Sequence, residues 1–358
     1  MSPKGDITMS EFDNDFDFID HYGSDMEVAN EEQLPDNEAP SAINCGFVGV
    51  GGGGGKLAKA FLDLGFNKTL LVNTTEKDQP DGVDEAHLVL IPDADGVGKD
   101  VEFGKKVLKD NSAVVEDALR TKLGKVDWLF VFAGGGGGTG SASGALHPVF
   151  ERYLESIEAD GCVVHVVTVP SAQESLNSTI KKNANTLLND VSEAPHIVLS
   201  NEKQLQLLRG KVGMLNMYSL ANSTFAKLFH QVLKLANEHS PIQTFDSKDL
   251  DRCLKTKGRT FVGSTVVPDP SIASLGATIL QNCLKRSPCP PPRGKSQTGS
   301  LLLVVTPEMA DDPEISKHLE AAISYVGSRT STLFSGVYVR DNLPGLIAIM
   351  TMNGVDWE

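Results

Sequence analysis

Cysteine is scarce and badly spaced for chemistry. The five residues, Cys45, Cys162, Cys253, Cys283 and Cys289, are an odd number with no C-x-x-C pair, and most sit in apolar runs. Neither a disulfide framework nor a zinc site follows, and a reducing cytosol suits them. Long apolar runs are missing too. None approaches the roughly 20 residues of a membrane span, and the N-terminus is acidic rather than basic and then apolar. The expectation is a soluble cytoplasmic protein with no direct membrane insertion. The eight histidines show no metal-site spacing such as H-E-x-x-H, and His147 and His165 suit packing better than catalysis. A basic surplus is also absent. The chain of 358 residues carries a formal charge of −15, of which −11 lies in residues 1–42, where twelve acids face one lysine, Lys4. The rest is at −4, without the clustered Lys and Arg that neutralise phosphates, so direct nucleic-acid binding is not expected.

What is present divides the chain. With 40% hydrophobic residues, the length suits about two domains. Residues 1–42 combine acidity with few aliphatic residues, a composition unable to offset ordering entropy, and are expected to form a disordered tail. Phe12, Phe16 and Ile19, spaced four and three apart, would make one apolar helical face for docking on an adaptor protein. A plain solubilising acidic arm is the alternative.

From residue 43 the pattern repeats strand, turn and helix. INCGFVGV, TLLVN, HLVLI, DWLFVFA, CVVHVVTV and HIVLS are short, nearly continuous apolar runs, as in strands buried on both faces of a parallel sheet. The fold class is therefore α/β, with a Rossmann-like parallel-sheet domain over residues 43–212. A long helix follows within residues 213–239, where Ala221, Phe225, Leu228, Val232 and Leu235 mark one face. Residues 240–358 read as a smaller α+β domain: TFVGSTVV, a helix over 271–285, SLLLVVT, a helix over 313–326, STLFSGVYV and GLIAIMTM. Within it, residues 286–299 are rich in proline and basic residues and predict a surface loop.

The chemistry points to the glycines. Ten of the 34 fall in two runs, Gly51 to Gly55 and Gly134 to Gly138, each placed after a predicted strand and before a predicted helix. Such turns offer backbone N–H groups at a helix N-terminus, with no Cβ to block a phosphate. Two of them in one sheet suggest a ligand with several phosphates. Alone, the first run is ambiguous, because Gly49, Gly51 and Gly54 satisfy the dinucleotide fingerprint G-x-G-x-x-G. A P-loop is excluded: Val50 stands where its first glycine belongs, and after Lys56 comes Leu57 in place of the magnesium-binding Ser or Thr.

The second run, DWLFVFAGGGGGTGSASG, contains Gly136, Gly137, Gly138, Thr139, Gly140 and Ser141 and resembles the GGGTG signature of the tubulin and FtsZ superfamily, with Ala142 replacing the last glycine. Further motifs follow in the family's order. GFVGVGGGGGKLAKAFLDLGF resembles the first phosphate loop, with Gly51, Gly52, Gly53, Gly54 and Lys56. LLVNTTEKDQ resembles the next, with Asn73 and Thr74 matching and Thr75 where an Asp is usual. DGVGKDVEFGKKVLKDN is similar to the third, which places Gly98 and Lys99 near the terminal phosphate. VVTVPSAQES resembles the ribose loop through Glu174, with Ser178 in place of the family's Arg. LSNEKQL and SLANSTF offer Asn201 and Asn222 to the guanine. In PIQTFDSKDLDR, similar to N-x-D-x-x-D, Thr244 replaces the Asn and both acids remain as Asp246 and Asp249.

This resemblance, over about residues 43–358, implies a divergent member that binds GTP or GDP with Mg²⁺. It further implies head-to-tail self-association, with Asp246 and Asp249 reaching the next subunit's nucleotide to position the attacking water. Hydrolysis then depends on assembly, as suits phosphoryl transfer, which needs positioning and charge neutralisation more than covalent help. The sequence ends just after its last predicted strand, so neither tubulin's C-terminal helical hairpin nor the FtsZ linker is expected. A phage or plasmid tubulin that positions DNA or phage particles fits better than a cell-division filament. Two other readings stay open, a Rossmann oxidoreductase using NAD and a non-catalytic nucleotide-binding scaffold. Singly, Asp246 and Asp249 also suit a helix cap, and Lys99, Lys105 and Lys106 a solvated helix face.

Overall fold

A computed structural model describes residues 34–355 except Asp93 and Lys211. The apolar face of Phe12, Phe16 and Ile19 lies outside them. Ten strands form one sheet in the order β3-β2-β1-β4-β5-β6-β7-β10-β8-β9. The first six are β1 Cys45–Val50, β2 Thr69–Asn73, β3 Leu88–Leu90, β4 Trp128–Gly134, β5 Val163–Val169 and β6 Pro195–Ser200, all parallel to their neighbours. These are the apolar runs of the sequence. The order reverses between β1 and β4, where the connection leaving β1 turns toward β2 and the chain later returns to β1's other side. In sheets of this class the crevice at that reversal, outside the carboxyl ends of the strands, is where ligands sit.

The second half adds β7 Gly258–Val267, β8 Ser296–Val305, β9 Thr330–Val339 and β10 Leu346–Val355. β10 pairs antiparallel with β7 and β8, while β8 and β9 run parallel across the helix Pro313–Gly327. The sheet does not break at the expected domain boundary. Pro195, His196 and Ile197 pair with Gly258, Arg259 and Thr260 and carry it through.

The helix Met217–Leu235 packs against the helix Gly51–Leu62, which follows β1, and reaches β4 at Phe130. Phe225 and Phe229 meet Phe61 edge-on, and Phe229 also meets Phe130. Phe47 stacks on Phe61 with ring centroids 4.8 Å apart. Aromatic pairs of these geometries add about 0.5–1.5 kcal/mol each beyond area burial. They fix the long helix to the strands that carry the glycine runs.

Two expectations need correction. Residues 34–42 belong to the folded body rather than to the tail. Leu34 and Ala39 are buried, the Leu34 amide donates to Lys122 O, and the Glu38 and Ala39 amides share Gly65 O. Two aliphatic side chains and backbone pairing suffice here, which average composition conceals. The proline-rich segment is also less of a surface loop than its composition implies. Ser287 and Cys289 are buried, the Lys203 ammonium donates to Leu284 O and Cys289 O, and Arg259 donates to Pro290 O. The carbonyls of Leu284, Cys289 and Pro290 are taken by these cations and that of Pro288 by the Ser200 amide, and β8 already begins at Ser296.

Three buried histidines give the fold a pH dependence. Burial holds the ring pKa of His165, His196 and His230 below the ordinary value of 6.5. The unfolded chain then binds protons that the folded chain refuses, so their contribution is complete above about pH 6.5 and declines as pH falls through that value. We expect the urea midpoint to drop between pH 7.5 and 5.5, as the unfolding free energy falls by up to about 1.4 kcal/mol per histidine per pH unit below about pH 6.5. An unchanged midpoint would contradict this.

Candidate nucleotide-binding site

A cavity of about 420 Å³ opens at the sheet reversal, between the carboxyl ends of β1, β4, β5 and β6. The first glycine run does not precede its helix but forms the helix's opening turns, Gly51–Leu62, directly after β1. Val50, the residue before it, supplies no side-chain cap, so its leading amides are left for a ligand. Helical glycine is costly in isolation, but this position needs it: a Cβ on Gly54 would collide with the carbonyl of Phe132 on β4. The helix can therefore lie against the strand more closely than any other sequence allows.

The second run leaves β4 at Gly134, turns through residues 135–139 and enters the short helix Gly140–Leu146. Gly140 is wedged: its Cβ would stand 2.6 Å from Gly134 O and 3.1 Å from Gly134 N. Behind this turn the Thr74 and Thr139 hydroxyls share a 2.8 Å hydrogen bond, buried, joining the loop after β2 to the glycine turn. The loop at residues 96–99 closes on the same turn, with Gly98 O in the space a Cβ on Gly138 would take.

The far side of the cavity is more polar. Glu174 accepts from the Ser171 amide (2.6 Å), from Asn201 Nδ2 (3.2 Å) and from the Tyr218 hydroxyl (3.4 Å). Asn201 opens the helix Asn201–Leu208 at the end of β6, and Tyr218 lies in the first turn of the long helix. Burial, with Glu174 beside it, raises the Tyr218 phenol above its usual pKa. Glu202 accepts from the Ala172 amide, which holds its carboxyl below the usual range and ties the 170–174 loop to the helix Asn201–Leu208.

Twelve of the expected residues line this one cavity: Gly52, Gly53, Asn73, Gly98, Lys99, Gly136, Gly137, Gly138, Thr139, Gly140, Glu174 and Asn201. Others lie outside its wall. Gly51, Gly54, Thr74 and Ser141 are buried behind it, and Lys56 is exposed on the first helix. Asn222 is buried on the long helix one turn after Tyr218. Lys105 is not merely solvated, since it pairs with Asp190 at 2.7 Å. The sequence reading missed Asp78 and Thr168 in the wall, and Tyr218 and Asn183 beside it. Asp78 and Thr168 lie within motif stretches, LLVNTTEKDQ and VVTVPSAQES, at positions no motif singles out, and Tyr218 and Asn183 carry no motif, so only the folded contacts reveal them.

Asp246 and Asp249 stand elsewhere, beyond the far end of the long helix, whose 19 residues span about 28 Å at about 1.5 Å per residue. They form a capping box. Asp246 Oδ1 accepts from the Lys248 and Asp249 amides, and Asp249 reaches back to the Asp246 amide. Tyr338 holds this corner in place, its hydroxyl donating to Leu235 O (2.8 Å) and accepting from the Phe245 amide (3.1 Å).

No family model matches the sequence. Among curated proteins, the cell division protein FtsZ of Coxiella burnetii is 24% identical over 235 residues, 64% of this chain and 58% of that protein. The chain thus matches little more than half the length of this relative. Among solved structures, the GTPγS-form protofilament of TubZ from Bacillus thuringiensis serovar israelensis superimposes with a TM-score of 0.74 at 17% identity, covering 89% of this chain and 90% of that one. The chain has the tubulin and FtsZ fold. The partial FtsZ sequence match agrees with that fold. TubZ of Clostridium botulinum phage c-st shares the tubulin and FtsZ fold at a TM-score of 0.64 and 19% identity, over 87% of this chain and 92% of that one. Among the described residues no helix is long and apolar enough to cross a membrane.

Proposed function

We propose that this chain is a GTP-binding GTPase that assembles head to tail and hydrolyses GTP where two copies meet. The observation that carries the reading is the separation within one chain: an amide-lined cavity at one end of the long helix and a rigidly held pair of acids at the other. No single copy can bring Asp246 and Asp249 to its own cavity. A second copy stacked end to end can, and repeating that contact gives an open filament. The TubZ relative was solved as a GTPγS-form protofilament, which supports both the ligand and the mode of assembly.

The residues present fit a nucleoside triphosphate. The helix Gly51–Leu62 and the turn 135–140 offer backbone amides to phosphates, and Glu174 and Asn201 offer hydrogen bonds to a sugar and base. Among the described residues no group of three or more His, Cys, Asp or Glu could hold a metal alone. Mg²⁺ would therefore be held chiefly by the phosphates, its usual mode with nucleotides, neutralising charge there. The NAD reading fares worse: at the end of β2, where a dinucleotide fold needs an acid for the ribose, this chain has Asn73. We further propose a cytoplasmic role in positioning DNA or phage particles, supported by the likeness to a phage TubZ, rather than in cell division.

Phosphate release per chain, measured across protein concentration with GTP, tests the proposal. The specific rate should climb steeply as filaments form and pellet, and stay low with dilute monomer. A rate per chain independent of concentration would refute the shared site; no release at any concentration, with GTP bound, would leave a non-catalytic scaffold.

A further inference from the structure

Asn183 lies mid-helix in Ser178–Asp190 and is 4% exposed. The other buried residues of that helix are Ala184 and Leu187. An amide kept among aliphatic neighbours must be fully engaged or it destabilises the fold. Asn183 Nδ2 donates to Lys99 O at 2.9 Å and to Gly137 O at 3.3 Å. Both acceptors are main-chain carbonyls of segments that line the cavity, one from the loop 96–99 and one from the glycine turn. Lower down, Asp190 of the same helix pairs with Lys105 of the helix Val101–Asp110, which follows the loop 96–99.

The near end of the loop 96–99 is held by the Gly96 amide, which donates to Thr74 O, and by buried Val97, whereas Asn183 holds its far end at Lys99. Gly96 and Gly98 adopt left-handed backbone, with φ of 81° and 57°, and Lys99 is exposed. Lys99 is nevertheless the one lysine or arginine in the cavity wall among the described residues, where the carboxylates of Asp78 and Glu174 also lie. Phosphates bound at the two glycine cradles meet amides already fixed to strand ends. A further phosphate adds charge that the strand ends do not answer, and the loop bearing Lys99 is the neighbouring cation.

We propose that Asn183 is a positioning residue that clamps the Lys99 loop to the glycine turn, so that the site separates a nucleoside triphosphate from a diphosphate. This rests on the nucleotide reading above and adds to it the part that senses the last phosphate. Asn183 touches no ligand itself. It acts through the carbonyls of Lys99 and Gly137.

The test titrates fluorescent GDP and a slowly hydrolysed fluorescent GTP analogue into dilute wild-type, Asn183→Asp, Asn183→Leu and Asn183→Gln chains. Asp keeps the shape of Asn but turns both donors into acceptors facing carbonyls; Leu removes them without adding charge; Gln keeps the donors. We expect the preference for the GTP analogue over GDP to fall about tenfold in the Asp and Leu chains, the scale of one hydrogen bond. GDP affinity should stay within about twofold, and Gln should recover part of the preference. Should Asp fail to fold by thermal melting, the Leu chain gives the reading. Equal losses for both nucleotides would reduce Asn183 to a structural residue and overturn the inference, as would an unchanged ratio while wild type discriminates. A wild-type chain that binds neither nucleotide overturns the parent reading together with this one.

Discussion

Replacing Gly140 by valine is expected to lower guanine-nucleotide affinity by about 100-fold, because overpacking costs about 1–3 kcal/mol and about 1.4 kcal/mol is tenfold in affinity. The physical cause is lack of room. A Cβ there would press on Gly134 O at 2.6 Å and Val50 O at 3.3 Å, and both are backbone atoms of the strands that frame the cavity. Neither can rotate aside as a side chain would, so the turn must lift and its amides lose their aim. Gly137→Ala is the control, since nothing lies within 4 Å of its added carbon. That chain should melt like the wild type, which separates local distortion from any general intolerance of the glycine run. Isothermal titration with GTP beside thermal melts decides the matter. Undiminished affinity in Gly140→Val would mean that the ligand does not sit on this turn.

The second large effect is expected at Asp249. Its substitution by alanine should slow turnover roughly 100- to 10,000-fold, the range for losing a group that handles the proton of an attacking water. GTP binding by the same chain should be unchanged, because the residue lies a helix length from that chain's own cavity. The capping box complicates the experiment, since a lost cap costs about 0.5–2 kcal/mol. Asp249→Asn resolves it: the amide oxygen can still accept from the Asp246 backbone, while the negative charge is gone. A chain that melts normally yet hydrolyses slowly shows chemistry; one that hydrolyses normally shows that Asp249 only caps. Burial and the adjacent Asp246 raise the Asp249 carboxyl above its ordinary value of 3.8. The acid limb of turnover should accordingly fall at higher pH than for a free carboxylate.

Most of the strand pattern was legible because buried parallel strands are written as unbroken β-branched runs, and VVHVVTV or TLLVN admits few other readings. The placement of the glycine runs at strand ends was legible for a related reason, since each directly follows such an apolar run, and the structure brings both to one cavity. Their local conformation was not. Five consecutive glycines signal a loop by propensity, yet they open the helix Gly51–Leu62, where the closeness of Phe132 leaves no room for a Cβ at position 54. The packed stretch from Leu34 was hidden by the acids around it, because composition averages over residues while burial selects two of them. Asn183 and Tyr218 were invisible for a different reason. Each is ordinary on its own helix and gains meaning from partners dozens of residues away. The acid pair was found through its likeness to a family motif, whereas the capping box that orients it came from the fold.

The anchoring of residues 34–42 decides from which side the first 33 residues depart. Leu34 is fastened to Lys122, just ahead of the amino end of β4, whereas the cavity lies at the carboxyl ends of the strands. Leu34 is thus rooted at the pole of the sheet opposite the cavity.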